Sequence, residues 1–136
     1  MTISVSNVPA STSITLKQGA TLNLSLTFNR TPTVPLNLTD YIVKIMVRKQ
    51  FGSDDAVITA TSDTVGDGAG KVGVVDPLAG QVVWAIIPSD TSSFLWSSKD
   101  DDTVDLPFDV ELHRVSSDIV YSPIRGTITL VREVTR

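Results

Sequence analysis

Cysteine is absent from this sequence, and histidine occurs once, at His113. The first absence excludes a disulfide framework and thiolate metal sites. The second leaves one residue through which any Ser-His-Asp arrangement would have to run, and no nucleophile-elbow sequence accompanies it. Charge is sparse, at 19% of residues, and sums to −4 with a pI near 4.7. Such a chain repels phosphate backbones, so nucleic acid is not an expected partner. Apolar runs stay short of the roughly eighteen residues that a membrane span needs. Met1-Thr2-Ile3-Ser4-Val5 lacks the basic start and apolar stretch of a secretory signal. No membrane partner is expected, and the expected location is the cytoplasm or a particle assembled there.

What the sequence does have is period-two alternation. Its 136 residues suit one domain with a single core. Leu22, Leu24, Leu26 and Phe28 alternate with Thr21, Asn23, Ser25 and Thr27, the pattern of a half-buried strand. Val43, Ile45 and Val47 alternate in the same way with Ile42, Lys44, Met46 and Arg48. Val82, Trp84 and Ile86 mark a third strand; Leu106, Phe108, Val110 and Leu112 mark a fourth. Ala56 to Ala60 reads as a short strand, and Ser62 to Gly73 as a mobile loop or loose hairpin around Gly66 to Gly70. Ser116-Ser117-Asp118 predicts a hairpin turn into Ile119 to Tyr121. Pro123 then separates that segment from a last strand with Ile124, Gly126, Ile128 and Leu130 inward. Pro88-Ser89-Asp90-Thr91 predicts one short helix, stable only when docked, with Phe94 or Trp96 plugging an end of the domain. About seven to eight strands at this spacing predict two packed antiparallel sheets, with a small barrel as the alternative. Residues 1–16 form an arm or a first edge strand, and 17–136 form the β-sandwich domain.

Motifs that could carry chemistry lack their context. Asp109, Glu111 and His113 share a strand face and could in principle chelate a metal, but a solvated face explains them. Asp100-Asp101-Asp102 with Asp105 has no glycine to fold the chain around calcium. Gly66-Asp67-Gly68-Ala69-Gly70-Lys71 lacks the Ser or Thr after the lysine and the helix of a phosphate loop. No catalytic, metal or cofactor site is expected, and an enzyme is the least favoured class. Val5, Val8, Phe51, Phe94 and Trp96 are instead candidate interface anchors, since aromatic and apolar side chains beside loops become hot spots. A carbohydrate-binding module, with Trp84 or Trp96 stacking on sugar, is the more remote alternative.

Five segments, in order, resemble the N-terminal module of siphophage upper baseplate proteins. These are Lys17-Gln18-Gly19-Ala20-Thr21-Leu22, Pro35 to Tyr41, Gly80 to Thr91 (a strand followed by P-x-x-T), Phe108-Asp109-Val110-Glu111-Leu112, and Arg125 to Ile128 with Val134-Thr135-Arg136. Ala20 replaces the usual acid, and Asp40 stands where glycine is common. The resemblance implies an immunoglobulin-like sandwich in a tailed-phage virion. The sequence ends at the closing strand, where upper baseplate proteins continue into trimerising parts. The expectation is therefore a capsid decoration (cement) protein, with a tail or baseplate adaptor for a fibre or spike as the alternative. Its partners would be the major capsid protein or tail and baseplate proteins. A homo-oligomer is expected, with a trimer as the cyclic form.

Overall fold

The computed structural model describes residues 2–5, 10–31, 33–50, 52, 55–117 and 119–133. Among these it holds ten strands and one short helix. One sheet has the order β1 (Thr2–Val5), β3 (Leu22–Thr31), β8 (Gln81–Ile86), β7 (Val72–Asp76), with β4 (Val34–Pro35) paired to β3. The other has the order β2 (Ala10–Lys17), β10 (Val120–Val131), β9 (Thr103–Arg114), β5 (Tyr41–Arg48), β6 (Ala56–Thr61). The first is the A-B-E-D order and the second contains the G-F-C-C′ order of an immunoglobulin-like sandwich. The chain is an all-β protein of that class.

The period-two pattern places the core. Leu24, Leu26 and Phe28 of β3 meet Val43, Ile45 and Val47 of β5 and Leu106, Phe108, Val110 and Leu112 of β9, all buried. In the immunoglobulin fold a disulfide commonly bridges the two sheets. Here an aromatic contact joins the sheets: Trp84 of β8, 1% exposed, packs on Phe108 of β9 with ring centroids 6.0 Å apart. Such a pair contributes about 0.5–1.5 kcal/mol beyond its buried area. The Trp84 indole N–H has no hydrogen-bond partner among the described residues.

Three features differ from the sequence expectation. Both N-terminal strands pair in parallel, β1 with β3 and β2 with β10. They reach their sheets by crossing between layers and not through hairpins, so nothing forces an antiparallel direction. Residues 2–5 and 10–17 are thus edge strands in this structure. Second, β7 forms within the segment that lacks alternation. Third, Pro123 does not end a strand: β10 runs from Val120 to Val131 and absorbs the proline in a register shift between Tyr121 and Ile124. A bulge is where a sheet tolerates a residue without an N–H.

The glycine-rich segment is pinned. Thr61 N donates to Gly68 O (3.0 Å) and Gly70 N to Thr61 O (3.0 Å), which ties the loop to the end of β6. Gly68 presses on β6 so closely that an added Cβ would lie 2.1 Å from Thr59 O. Lys71, at the end of the loop, pairs with Asp90 of α1 (Pro88–Thr91).

Candidate functional site

The two ends of the sandwich are built differently. At one end, α1 and the segment up to Asp102 close the core. Pro88 supplies a preset φ at the first helical position, and Asp90 accepts a hydrogen bond from Ile87 N at 2.9 Å, which fixes the entry. Thr91 is fully buried against the β2–β3 turn. There Gln18, only 7% exposed, is a four-way junction. Its Nε2 donates to the carbonyls of Thr91 (3.1 Å) and Ser92 (3.3 Å). Its Oε1 accepts from Trp96 Nε1 (3.2 Å) and from Glu133 N (3.4 Å). Gly19 N donates to Thr91 Oγ1 at 2.8 Å. Every polar group of the amide is satisfied, which is the condition for such a group to be buried without penalty.

Arg132 fastens the acidic loop to the same end. Its Nη1 donates to the carbonyls of Ser98 (3.2 Å), Lys99 (2.9 Å) and Asp101 (3.3 Å), and its guanidinium lies 5.2 Å from the Trp96 ring centroid. The carbonyls that a calcium loop would turn toward a cation here face a guanidinium. Phe94 meets Trp96 edge-on at 5.3 Å, and Lys49 Nζ stands 5.5 Å from the Phe94 ring. Phe94 and Trp96 are therefore half-buried supports. The side chain they hold outward is Leu95, 76% exposed beside a cleft of about 470 Å³.

The opposite end is knitted mainly by backbone. Leu38 N donates to Pro77 O (2.8 Å), Phe28 N to Gly80 O (2.9 Å) and Val115 N to Asp40 O (2.8 Å). These bonds join the β3–β5 connection, the β7–β8 turn and the β9–β10 turn into one surface. The side-chain link is Asp40, which accepts from Ser116 Oγ and from Arg114 Nε (3.2 Å). The Ser116 hydroxyl, then Arg114, hold the Asp40 carboxyl below its ordinary value of 3.8. Each joined loop exposes an apolar side chain: Leu78 at 70%, Val115 at 66%, and Val34 and Ile119 less so.

Other motifs resolve locally. His113 Nε2 lies 2.8 Å from Glu111 Oε2, a pair along one strand. Asp109, between Arg48 and Arg125 on neighbouring strands, has its carboxyl pushed up by burial and by the adjacent Glu111 charge. In the glycine loop, the N–H groups of Ala69, Gly70 and Lys71 are committed to carbonyls of Gly66, Thr61 and Gly68. They form a turn and not a cradle for phosphate.

Of the sequence-nominated anchors, Phe94 and Trp96 come together. Val5 lies in β1, with its side chain outside the described part, and Val8 and Phe51 lie outside the described residues. Trp84, nominated for sugar stacking, has no surface to offer, because it is the centre of the core. Sequence reasoning missed Gln18, Leu95 and Arg132. No family model and no curated protein matches the chain. Among solved structures, that of the NK cell receptor Nkp44, described as a triggering partner in natural cytotoxicity, aligns with 90% of this chain and 99% of its own at 13% identity and a TM-score of 0.47. The class assignment above stands on strand order and not on that likeness.

Proposed function

We propose that this protein is a non-enzymatic structural component of a tailed-bacteriophage virion, a capsid decoration protein that docks through one end of its sandwich. The observation that carries this reading is a meeting of motifs. The Lys17–Leu22 segment and the Pro88–Thr91 segment are two of the stretches that resemble the phage baseplate module, and they lie far apart in sequence. In the fold they share the Gln18–Thr91 junction, 73 residues apart along the chain. A resemblance made of residues that cooperate in one buried network is harder to obtain from unrelated turns than one made of scattered residues.

The mode of action follows from the surface. Leu78, Val115 and Ile119 project from loops, and Val34 from the short β4, at the end joined by backbone hydrogen bonds. A small apolar patch of this kind binds weakly alone and firmly when a symmetric lattice repeats it. Quantitative mass spectrometry of purified particles tests the proposal. Copy numbers matching the capsid lattice support decoration. Copy numbers matching a tail symmetry element give the adaptor reading instead, and absence from particles overturns both.

A further inference from the structure

Among the described residues the two sheets end in four edge strands, and three of them carry devices that block further pairing. The β6 edge is capped at Thr59 and Thr61 by the chain's own glycine loop. The β7 edge is five residues long and broken by a register shift between Val74 and Asp76. The β1 edge is four residues long. Short strands, bulges and covering loops are the usual means of keeping edges from joining other chains. The fourth edge, β2, has none of them among the described residues. Its eight residues run in unbroken register with β10 from Ala10 to Lys17, free of proline and uncharged until Lys17. Among the described residues no strand pairs with its outer side.

The direction of its backbone groups can be worked out. Gln18 N donates inward, to Val131 O of β10 at 2.8 Å. Successive residues of a strand alternate the side to which their N–H and C=O point. Leu16 and Ile14 therefore point theirs to β10, while Thr15 and Ser13 point theirs outward. The side chains of Ile14 and Leu16 are buried, and those of Ser13 and Thr15 are exposed on the sheet's outer face.

We infer that the free edge of β2 pairs with β2 of a second copy of this chain, antiparallel about a twofold axis through Ile14. Directly opposed residues in an antiparallel pair share a face, so buried positions must oppose buried positions. Centring on Ile14 meets that condition. It also sets Ser13 against Thr15 of the second copy, so that their outward N–H and C=O groups exchange both bonds of a narrow pair. Lys17 then opposes Ser11 of the second copy, and no like charges face each other. A foreign strand added to β2 would only move the open edge outward by one strand. A twofold pairing removes both open edges at once, which is the self-complementarity of an isologous interface. This inference does not depend on a virion setting.

The test is sedimentation of the purified protein across a concentration series. The expected result is a shift from 14.6 kDa toward twice that mass. Thr15→Pro removes an N–H that β10 does not use, and should hold the protein at the monomer mass with an unchanged circular dichroism spectrum. A second pair of variants keeps the test valid if the proline perturbs folding. Copies carrying Ser13→Lys with Thr15→Lys, and copies carrying Ser13→Glu with Thr15→Glu, should each stay monomeric and should dimerise when mixed. A wild type that stays at monomer mass throughout, or a mixture that fails to associate, overturns the inference.

Discussion

The end closed by α1 and the end formed by the three joined turns solve one problem with different chemistry. The first buries a polar junction, Gln18, and stacks Arg132 and Phe94 around Trp96. The second buries Leu38 beneath backbone hydrogen bonds and leaves its apolar tips in water. The difference separates roles. A saturated side-chain network fixes shape, whereas a backbone-knit surface frees its side chains to meet something else.

Backbone substitutions should break this comparison most strongly. Gly80 sits at φ +68, and an added Cβ would lie 2.2 Å from Phe28 O, inside the contact that joins the β7–β8 turn to β3. Gly80→Ala should cost about 4 kcal/mol, combining left-handed strain with overlap. Gly52, at φ +78 with nothing within 4 Å, is the control on the other side, and its alanine variant should cost about 1 kcal/mol. Urea unfolding of both variants measures the contrast; equal losses would refute the close-packed account of the turn.

Next in size is the junction itself. Gln18→Ala leaves the buried Thr91 carbonyl and the half-buried Trp96 and Glu133 N–H groups without their bonds, and should cost about 2–3 kcal/mol. Thermal melting checks it, and hydrogen exchange should rise first at Gly19 and Glu133.

Acid should loosen the Asp40 link at the second end. The folded pKa of Asp40 lies below 3.8, so its contribution is complete above that value and is lost as pH falls through the folded value. The junction of Gln18, Thr91 and Trp96 contains no group that titrates there. Lowering pH into that range should accelerate exchange at Val115 N–H. Asp40→Asn should show the faster Val115 exchange already at neutral pH.

The smallest effect on stability should come from the tips. Leu78→Ser combined with Val115→Ser should stay within about 0.5 kcal/mol of wild type, since both side chains are exposed. The same variant should be lost from particles in an incorporation assay if this end is the docking surface. Normal incorporation would move the docking role elsewhere.

Much of the fold could be read from the sequence because burial on one face writes itself into alternation. Leu24 through Phe28, Val43 through Val47 and Leu106 through Leu112 were each assignable from period two alone. Strand β7 was not, because Val72-Gly73-Val74-Val75-Asp76 does not alternate in polarity and adjoins a glycine-rich segment, although Val72 and Val74 are its more buried positions. The continuity of β10 was hidden by Pro123, which interrupts a strand only when no bulge accommodates it. At the candidate site, Phe94 and Trp96 drew notice as aromatics, yet the exposed member is the aliphatic residue between them. Gln18 entered the sequence reading only as part of the Lys17–Leu22 segment. Its role appears only when Thr91, Trp96 and Glu133 converge on it, and that convergence is a property of the crossing between sheets.

The chain's two tryptophans stand in unlike surroundings, with consequences for optical work. Trp84 is sealed in the core with an indole N–H that has no hydrogen-bond partner among the described residues, a setting for blue-shifted emission inaccessible to soluble quenchers. Trp96 is hydrogen-bonded to Gln18 and lies under a guanidinium at the rim of a cleft, where emission is redder and quenchers can reach. The native protein thus carries two spectrally separable reporters, one for the integrity of the sandwich and one for its closed end. The order in which they respond to denaturant would show whether that end opens before the core does.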